Sequence, residues 1–213
     1  MKQKALNALA IGADFVELRF DHLRPGEMNT ALSEAGQLGA KSVFTLRSKS
    51  EGGRFVGSEL ERIAWLRKMA EQRPMFVDVE LETLRQNDEL ADFFENQKTP
   101  ILVSWHDYNA TPSEDSLADI LSEMRVYSNF VKVVTTAKST TDAIRLLDLY
   151  ESTLGLNAII FAMGEAGIIS RVLCTVVGNA PFTYASLDSA LAPGQLAINE
   201  MRRLYDMIER QLQ

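Results

Sequence analysis

The chain has one cysteine, Cys174, and two histidines, His22 and His106. A lone cysteine cannot form an internal disulfide. Its setting in SRVLCTVVG is that of a buried, inert thiol rather than a nucleophile, which suits a reducing cytoplasm. Positive charge is also scarce: 22 basic against 29 acidic side chains leave a formal charge of -7, which argues against a nucleic-acid footprint or a polybasic membrane patch. Long apolar runs are missing, and no stretch approaches the ~18 residues that a membrane-spanning helix requires. The N-terminus MKQKALNALAIGADF begins with a basic pair and alanines, but Asn7 interrupts the apolar run and Asp14 follows, so it reads as a helix rather than a signal peptide. No linker rich in Pro, Gly or Ser, no low-complexity run and no composition shift divides the 213 residues, so the expected organisation is one soluble domain, 1–213.

What is present is a repeated rhythm. Short apolar runs recur with helical patterns between them: FVELRFD (15–21), SVFTLRS (42–48), MFVDVEL (75–81), ILVSWHD (101–107), FVKVVTT (130–136), AIIFAMG (158–164) and FTYAS (182–186). Strands alternating with helices are predicted. Thr111-Pro112-Ser113-Glu114 reads as a capping box with Pro112 at the first helical position, Ser139 as the cap of the next helix, and Gly155 and Gly178 as helix stops. Within the strands, Val16, Leu18 and Phe20 alternate with Glu17, Arg19 and Asp21. The same split recurs as Phe44 and Leu46 against Thr45 and Arg47, Val77, Val79 and Leu81 against Asp78 and Glu80, and Val103 and Trp105 against Ser104 and His106. An antiparallel sheet with one wet face would explain the alternation, but the helices between strands imply parallel crossovers. An α/β barrel reconciles the two, with the apolar parity toward the helices and the polar parity turned inward to a mouth at the C-terminal strand ends. Charges buried there must be paired or functional.

Lys132 sits inside an apolar strand, where an ammonium is expensive unless paired or deprotonated, and a neutral lysine amine attacks carbonyls. A lysine snorkelling from a strand end is its bland reading. His106, on the inward parity near the end of its own strand, has the chemistry to accept and return protons near neutral pH, or else is a satisfied structural histidine. His22 follows the strand core and reads as a surface loop residue. Gly52 and Gly53 permit a loop that brings Glu51 over the mouth, where the alternative is a solvated turn. Gly164 and Gly167 open a helix carrying Arg171 and could cradle an anion; a solvated helix charge is the plain alternative for Arg171. Pro193 and Gly194 make a tight turn that holds Gln195.

Taken together, Glu17-Leu18-Arg19-Phe20-Asp21, Thr45-Leu46-Arg47 with Glu51-Gly52-Gly53, Ser104-Trp105-His106-Asp107-Tyr108, Lys132, Met163-Gly164 with Ser170-Arg171, and Ala192-Pro193-Gly194-Gln195 resemble type I 3-dehydroquinate dehydratase in order and spacing. The resemblance covers nearly the whole chain. It implies a (β/α)8 TIM barrel that dehydrates 3-dehydroquinate to 3-dehydroshikimate in the shikimate pathway, with no cofactor and no metal. Lys132 would form an imine with the substrate ketone. His106 would remove the neighbouring proton and then protonate the departing hydroxyl, with Glu51 holding its imidazole. Glu17, Arg19 and Arg47 would surround the substrate hydroxyls, and Arg171 and Gln195 its carboxylate, to which a guanidinium can donate two parallel hydrogen bonds. The expected partners are this small-molecule substrate and a second copy of the chain as a homodimer, with no nucleic acid and no membrane.

Two features depart from the family. Leu191 stands where a serine commonly precedes Ala-Pro-Gly-Gln, so one polar substrate contact is expected to be lost. Residues 2–12 read as the first helix, and the strand that should precede it is missing, which leaves seven recognisable strands. A barrel open between 15–21 and 182–186 is therefore expected, with edges that invite dimerisation and lower stability. Two other readings stay open on sequence: another Schiff-base barrel such as a class I aldolase, and a carboxylate-binding barrel without catalysis.

Overall fold

The computed structural model describes residues 1–187 and 192–212, so Leu191 lies outside the described residues. The chain groups into two compact units, Met1–Trp105 and His106–Gln213.

In the first unit, helix α1 (Lys2–Ala10) leads into strand β1 (Val16–Arg19), in agreement with the helical reading of the N-terminus. There follow α2 (Met28–Ala35), β2 (Ser42–Thr45), α3 (Glu59–Glu71), β3 (Phe76–Glu80), α4 (Leu81–Arg85), α5 (Asp88–Gln97) and β4 (Ile101–His106), whose last residue opens the second unit. β1, β2, β3 and β4 pair in that order, all parallel. Parallel neighbours need a crossover, which is why helices separate them. The register sets Arg19, Thr45, Asp78 and Leu102 in one row, and Glu80 opposite Ser104 two residues further on. Val16, Leu18, Phe44, Val77, Val79 and Val103 are buried, and removing such side chains from water supplies the main drive, at roughly 25 cal/mol per Å². Helix α3 starts on a capping box, with Ser58 Oγ accepting from Glu61 N and Glu61 returning to Ser58 N. Its buried face is Arg62, Ile63, Leu66, Met69 and Ala70.

The second unit carries α6 (Glu114–Tyr127), β5 (Phe130–Thr136), α7 (Thr140–Asp148), β6 (Asn157–Met163), α8 (Ile168–Leu173) and α9 (Ile198–Leu212). β5 and β6 pair in parallel along their whole length, with Lys132 opposite Ile159 and Val134 opposite Phe161. Ser139 caps α7 as expected, accepting from Asp142 N while the Asp142 carboxylate returns to Ser139 N at 3.1 Å. Gly155 takes a left-handed φ of +80° in the turn before β6, and a Cβ on Gly178 would come within 2.4 Å of the Tyr150 ring.

Three sequence expectations need correction. β1 stops at Arg19, and Phe20–His22 form a 3-10 turn, because the Asp21 carboxylate folds back onto the Arg19 guanidinium at 2.8 Å. The cap of α6 is Ser113 rather than Thr111: Ser113 Oγ accepts from Ser116 N at 3.3 Å. Proline disfavours the helical conformation in the residue before it, and the Thr111 hydroxyl instead donates to Thr136 O at 3.1 Å. The run FTYAS forms no ladder strand among the described residues. Only Ser186 makes a bridge, to Ala197, and the segment is tied down by side chains, as when Thr183 Oγ1 donates to Arg171 O at 2.8 Å.

Candidate active site

The first unit gathers the polar parity of its strands into one connected network. Thr45 Oγ1 donates to Glu17 Oε1 at 2.8 Å. Arg47 is buried, and its guanidinium reaches Asp78 at 2.6 Å, Glu80 at 3.3 Å and Glu51 at 3.7 Å. Ser104 Oγ joins the same cluster at 2.7 Å from both Arg47 Nη1 and Asp78 Oδ1. Behind this group Glu80 meets a second arginine, Arg62 of α3, whose Nη1 donates to Glu80 Oε2 at 2.7 Å and to Leu46 O at 3.1 Å. Arg62 also binds Glu59 and the Thr83 hydroxyl. Burial alone would raise the Glu80 carboxyl, but the charges of Arg47 and Arg62 and the amide of Ser48 overcome it and hold the group below its usual range. Burial likewise works against the charged Arg47, and Asp78, Glu80, Glu51 and Glu17 together hold it protonated.

The loop after β2 returns Glu51 toward Arg47 by glycine geometry. Gly52 sits at φ +74°, and a Cβ on Gly53 would fall 2.0 Å from Arg47 O, so the chain passes where only hydrogen fits. Gly53 N donates to Ser48 O at 2.7 Å and Arg54 N to Asp21 Oδ2 at 3.1 Å. Glu51 is buried. His22, exposed as expected, has Nε2 3.6 Å from Asp21.

The second unit presents a different kind of surface. Lys132 is 3% exposed, and its Nζ lies over the ring of Tyr184, 5.0 Å from the centroid. His106 ends β4 with its ring stacked on Tyr108 at 6.3 Å. The chain leaving His106 runs beside β5, with Asp107 N donating to Val134 O at 2.9 Å and Thr136 N to Ala110 O at 3.3 Å. Arg171 is not a solvated helix charge: it is 2% exposed, and its guanidinium stacks 4.2 Å from the Phe161 ring centroid. Its Nε and Nη2 have no hydrogen-bond partner among the described residues. Desolvation lowers its pKa to about 10. Gly164, at φ +86°, donates its amide to Pro193 O at 3.0 Å, so this glycine loop receives the turn 192–195. A Cβ on Gly194 would lie 2.3 Å from Gly164 O. Gln195 N closes that turn on Ala192 O at 3.2 Å. Cys174 is fully buried, donates to Arg171 O at 3.2 Å and has its thiol pushed up to about 11 by burial, which is the inert thiol expected.

Sequence reasoning treated Asp78, Glu80 and Ser104 as inward parity without giving them a role, and missed Arg62 altogether. A signal was present: Arg62, Leu66 and Met69 stand at i, i+4 and i+7 of one helix, which places the arginine on the apolar face.

The family model described as Type I 3-dehydroquinase matches residues 1–211. A 3-dehydroquinate dehydratase of Thermococcus onnurineus is 34% identical over 208 residues, covering 97% of this chain and 93% of that protein. One from Dehalococcoides mccartyi is 38% identical over 197 residues, 91% of this chain and 86% of its own. Among solved structures, the 3-dehydroquinate dehydratase from Geobacillus kaustophilus superposes with a TM-score of 0.89 at 25% identity, covering 98% of this chain and 86% of that one.

Replacing Glu80 by Gln removes the charge that two buried arginines share, and should cost about 3–5 kcal/mol of stability at neutral pH. The folded-state pKa of Glu80 is depressed, so its contribution is present above the unfolded pKa and lost as pH falls through the folded one. Denaturant melts should show wild type and Glu80→Gln converging in acid. A gap that stays constant down to the acid range would contradict the charge argument.

Proposed function

The chain belongs to the type I 3-dehydroquinase family, whose fold is the (β/α)8 barrel, and on that premise we propose how its side chains divide the dehydration of 3-dehydroquinate to 3-dehydroshikimate. Membership over residues 1–211 sets aside the aldolase reading and places the reaction in the shikimate pathway, through a lysine imine. Lys132 is the imine residue. Its amine adds to the ketone carbon, water is lost, and the iminium draws electrons from the adjacent carbon until its proton becomes removable. His106 takes that proton and then delivers one to the leaving hydroxyl, which departs as water. Glu51 holds the imidazole, and hydrolysis of the imine releases the product. Glu17, Arg19 and Arg47 surround the substrate hydroxyls, Arg171 and Gln195 its carboxylate.

The observation that carries this reading is Arg171, a guanidinium 2% exposed with two nitrogens unpartnered among the described residues. A buried cation left in that state is completed by an anion, and a substrate carboxylate fits the planar fork. Arg19 and Arg47, by contrast, are already engaged by Asp21 and by Asp78, Glu80 and Glu51, so they serve as rigid donors at fixed positions. For assembly we propose a homodimer, a reading supported by exposed Ile169, Val177 and Met207 in the second unit, and for place the cytoplasm, which a single buried cysteine suits.

His106→Ala should still form the imine but turn over more slowly by about 10²–10⁴, so that mass spectrometry finds the covalent adduct accumulating. Near-normal turnover would return His106 to a structural role. Arg171→Ala should chiefly raise the Michaelis constant, by the equivalent of about 2–5 kcal/mol of lost binding, while the maximal rate at saturating substrate changes less. An unchanged Michaelis constant would remove Arg171 from the carboxylate site.

A further inference from the structure

Tyr184 belongs to none of the motifs that carry the family resemblance, yet its ring is the face over which Lys132 Nζ lies, 5.0 Å from the centroid. The ring is fixed by two others: Phe182 meets it edge-on at 5.7 Å, and Phe161 of β6 at 6.1 Å with a tilt of 54°. Phe161 pairs with Val134 and Ile159 with Lys132, so β6 sets an apolar and aromatic wall beside the lysine. Thr183 ties the segment to the backbone of Arg171.

An imine withdraws electrons well only when its nitrogen is protonated. Burial disfavours that charged form, and the negative face of an aromatic ring favours it. We propose that Tyr184 is a further catalytic residue, its ring acting as the cation–π partner that keeps the Lys132 imine protonated. The inference rests on Lys132 being the imine residue. When the amine has added and water has left, the nitrogen bears one positive charge. Proton removal moves the C–H pair into a C=C bond and neutralises it as an enamine. Departure of the hydroxyl, which leaves as water after taking a proton, restores the iminium that water then attacks. The ring stabilises both cationic states, and the neutral enamine gains nothing from it.

Other titratable groups border this wall. His106 and Asp107 lie where the chain leaving β4 meets β5, Arg171 stacks on Phe161, and Cys174 lies under Arg171 with its pKa raised to about 11. β6 contributes none, and the acidic residues of α6, which contacts β5, are exposed.

A contact of this kind at a desolvated site shifts a protonation equilibrium by about 3- to 30-fold, or about 0.5–1.5 pH units. The alkaline limb of kcat reports groups in the bound complex, so kcat–pH profiles of wild type, Tyr184→Phe and Tyr184→Leu are the test. The phenylalanine variant should keep the wild-type limb, and the leucine variant should move it down by about that amount. Pentafluorophenylalanine at position 184 keeps the shape but reverses the ring's quadrupole, and should also move the limb down, which covers the case of a leucine variant that fails to fold. An unmoved limb in the leucine and fluorinated variants, or a phenylalanine variant shifted as far as leucine, would overturn the proposal. Lys132→Ala separates the premise from the inference. Retained turnover would overturn the lysine assignment itself. Lost turnover beside an unmoved limb would overturn the role of the ring alone.

Discussion

A charge withdrawn from water must be met by an opposite charge, a dipole or a polarisable face, and this constraint organises both units of the chain. In the first unit it is met by ions. Glu80 lies between Arg47 and Arg62, and through it a helix arginine is coupled to the polar parity of the strands. Such a pair adds little net stability over apolar packing, because desolvation offsets the attraction. What it adds is geometry: the Arg47 guanidinium has several anchors within hydrogen-bond or ion-pair reach, and moving it would strand a buried charge.

In the second unit the same constraint is met by aromatic faces. Lys132 lies over Tyr184 and Arg171 over Phe161, and the two rings are themselves neighbours at 6.1 Å. An aromatic face favours a cation through the quadrupole of its ring rather than through a formal negative charge. On the proposed division of roles, this suits a lysine that becomes an imine and an arginine that receives a carboxylate. Of the proposed site residues, Arg19 and Arg47 are thus held by tight ion pairs, while Lys132 and Arg171 lie against aromatic faces.

The alternation of the strands was legible because a period of two needs no knowledge of partners: Val77 and Val79 against Asp78 and Glu80 follow from the sequence alone. Lys132 stood out for the same reason. The glycine pair at 52–53 was legible as a permissive loop carrying Glu51, whereas its close pass against the Arg47 carbonyl depends on the tertiary fold. Arg62 was hidden because its helix carries many exposed charges and its partner lies 18 residues away on another element. Tyr184 was hidden because an aromatic in FTYAS scores as a strand residue, whereas its anchors are rings distant in sequence. The shift of the α6 cap from Thr111 to Ser113 was not legible because it goes with a tertiary bond, from the Thr111 hydroxyl to β5.

The central claim is that one buried lysine, Lys132, carries the covalent chemistry. Borohydride reduction in the presence of 3-dehydroquinate, followed by peptide mass spectrometry, tests it most directly. The account predicts a stable mass increase on the peptide containing Lys132 and on no other lysine, with activity lost in proportion to labelling. A label on a different lysine, or none on a protein that still turns the substrate over, would contradict it.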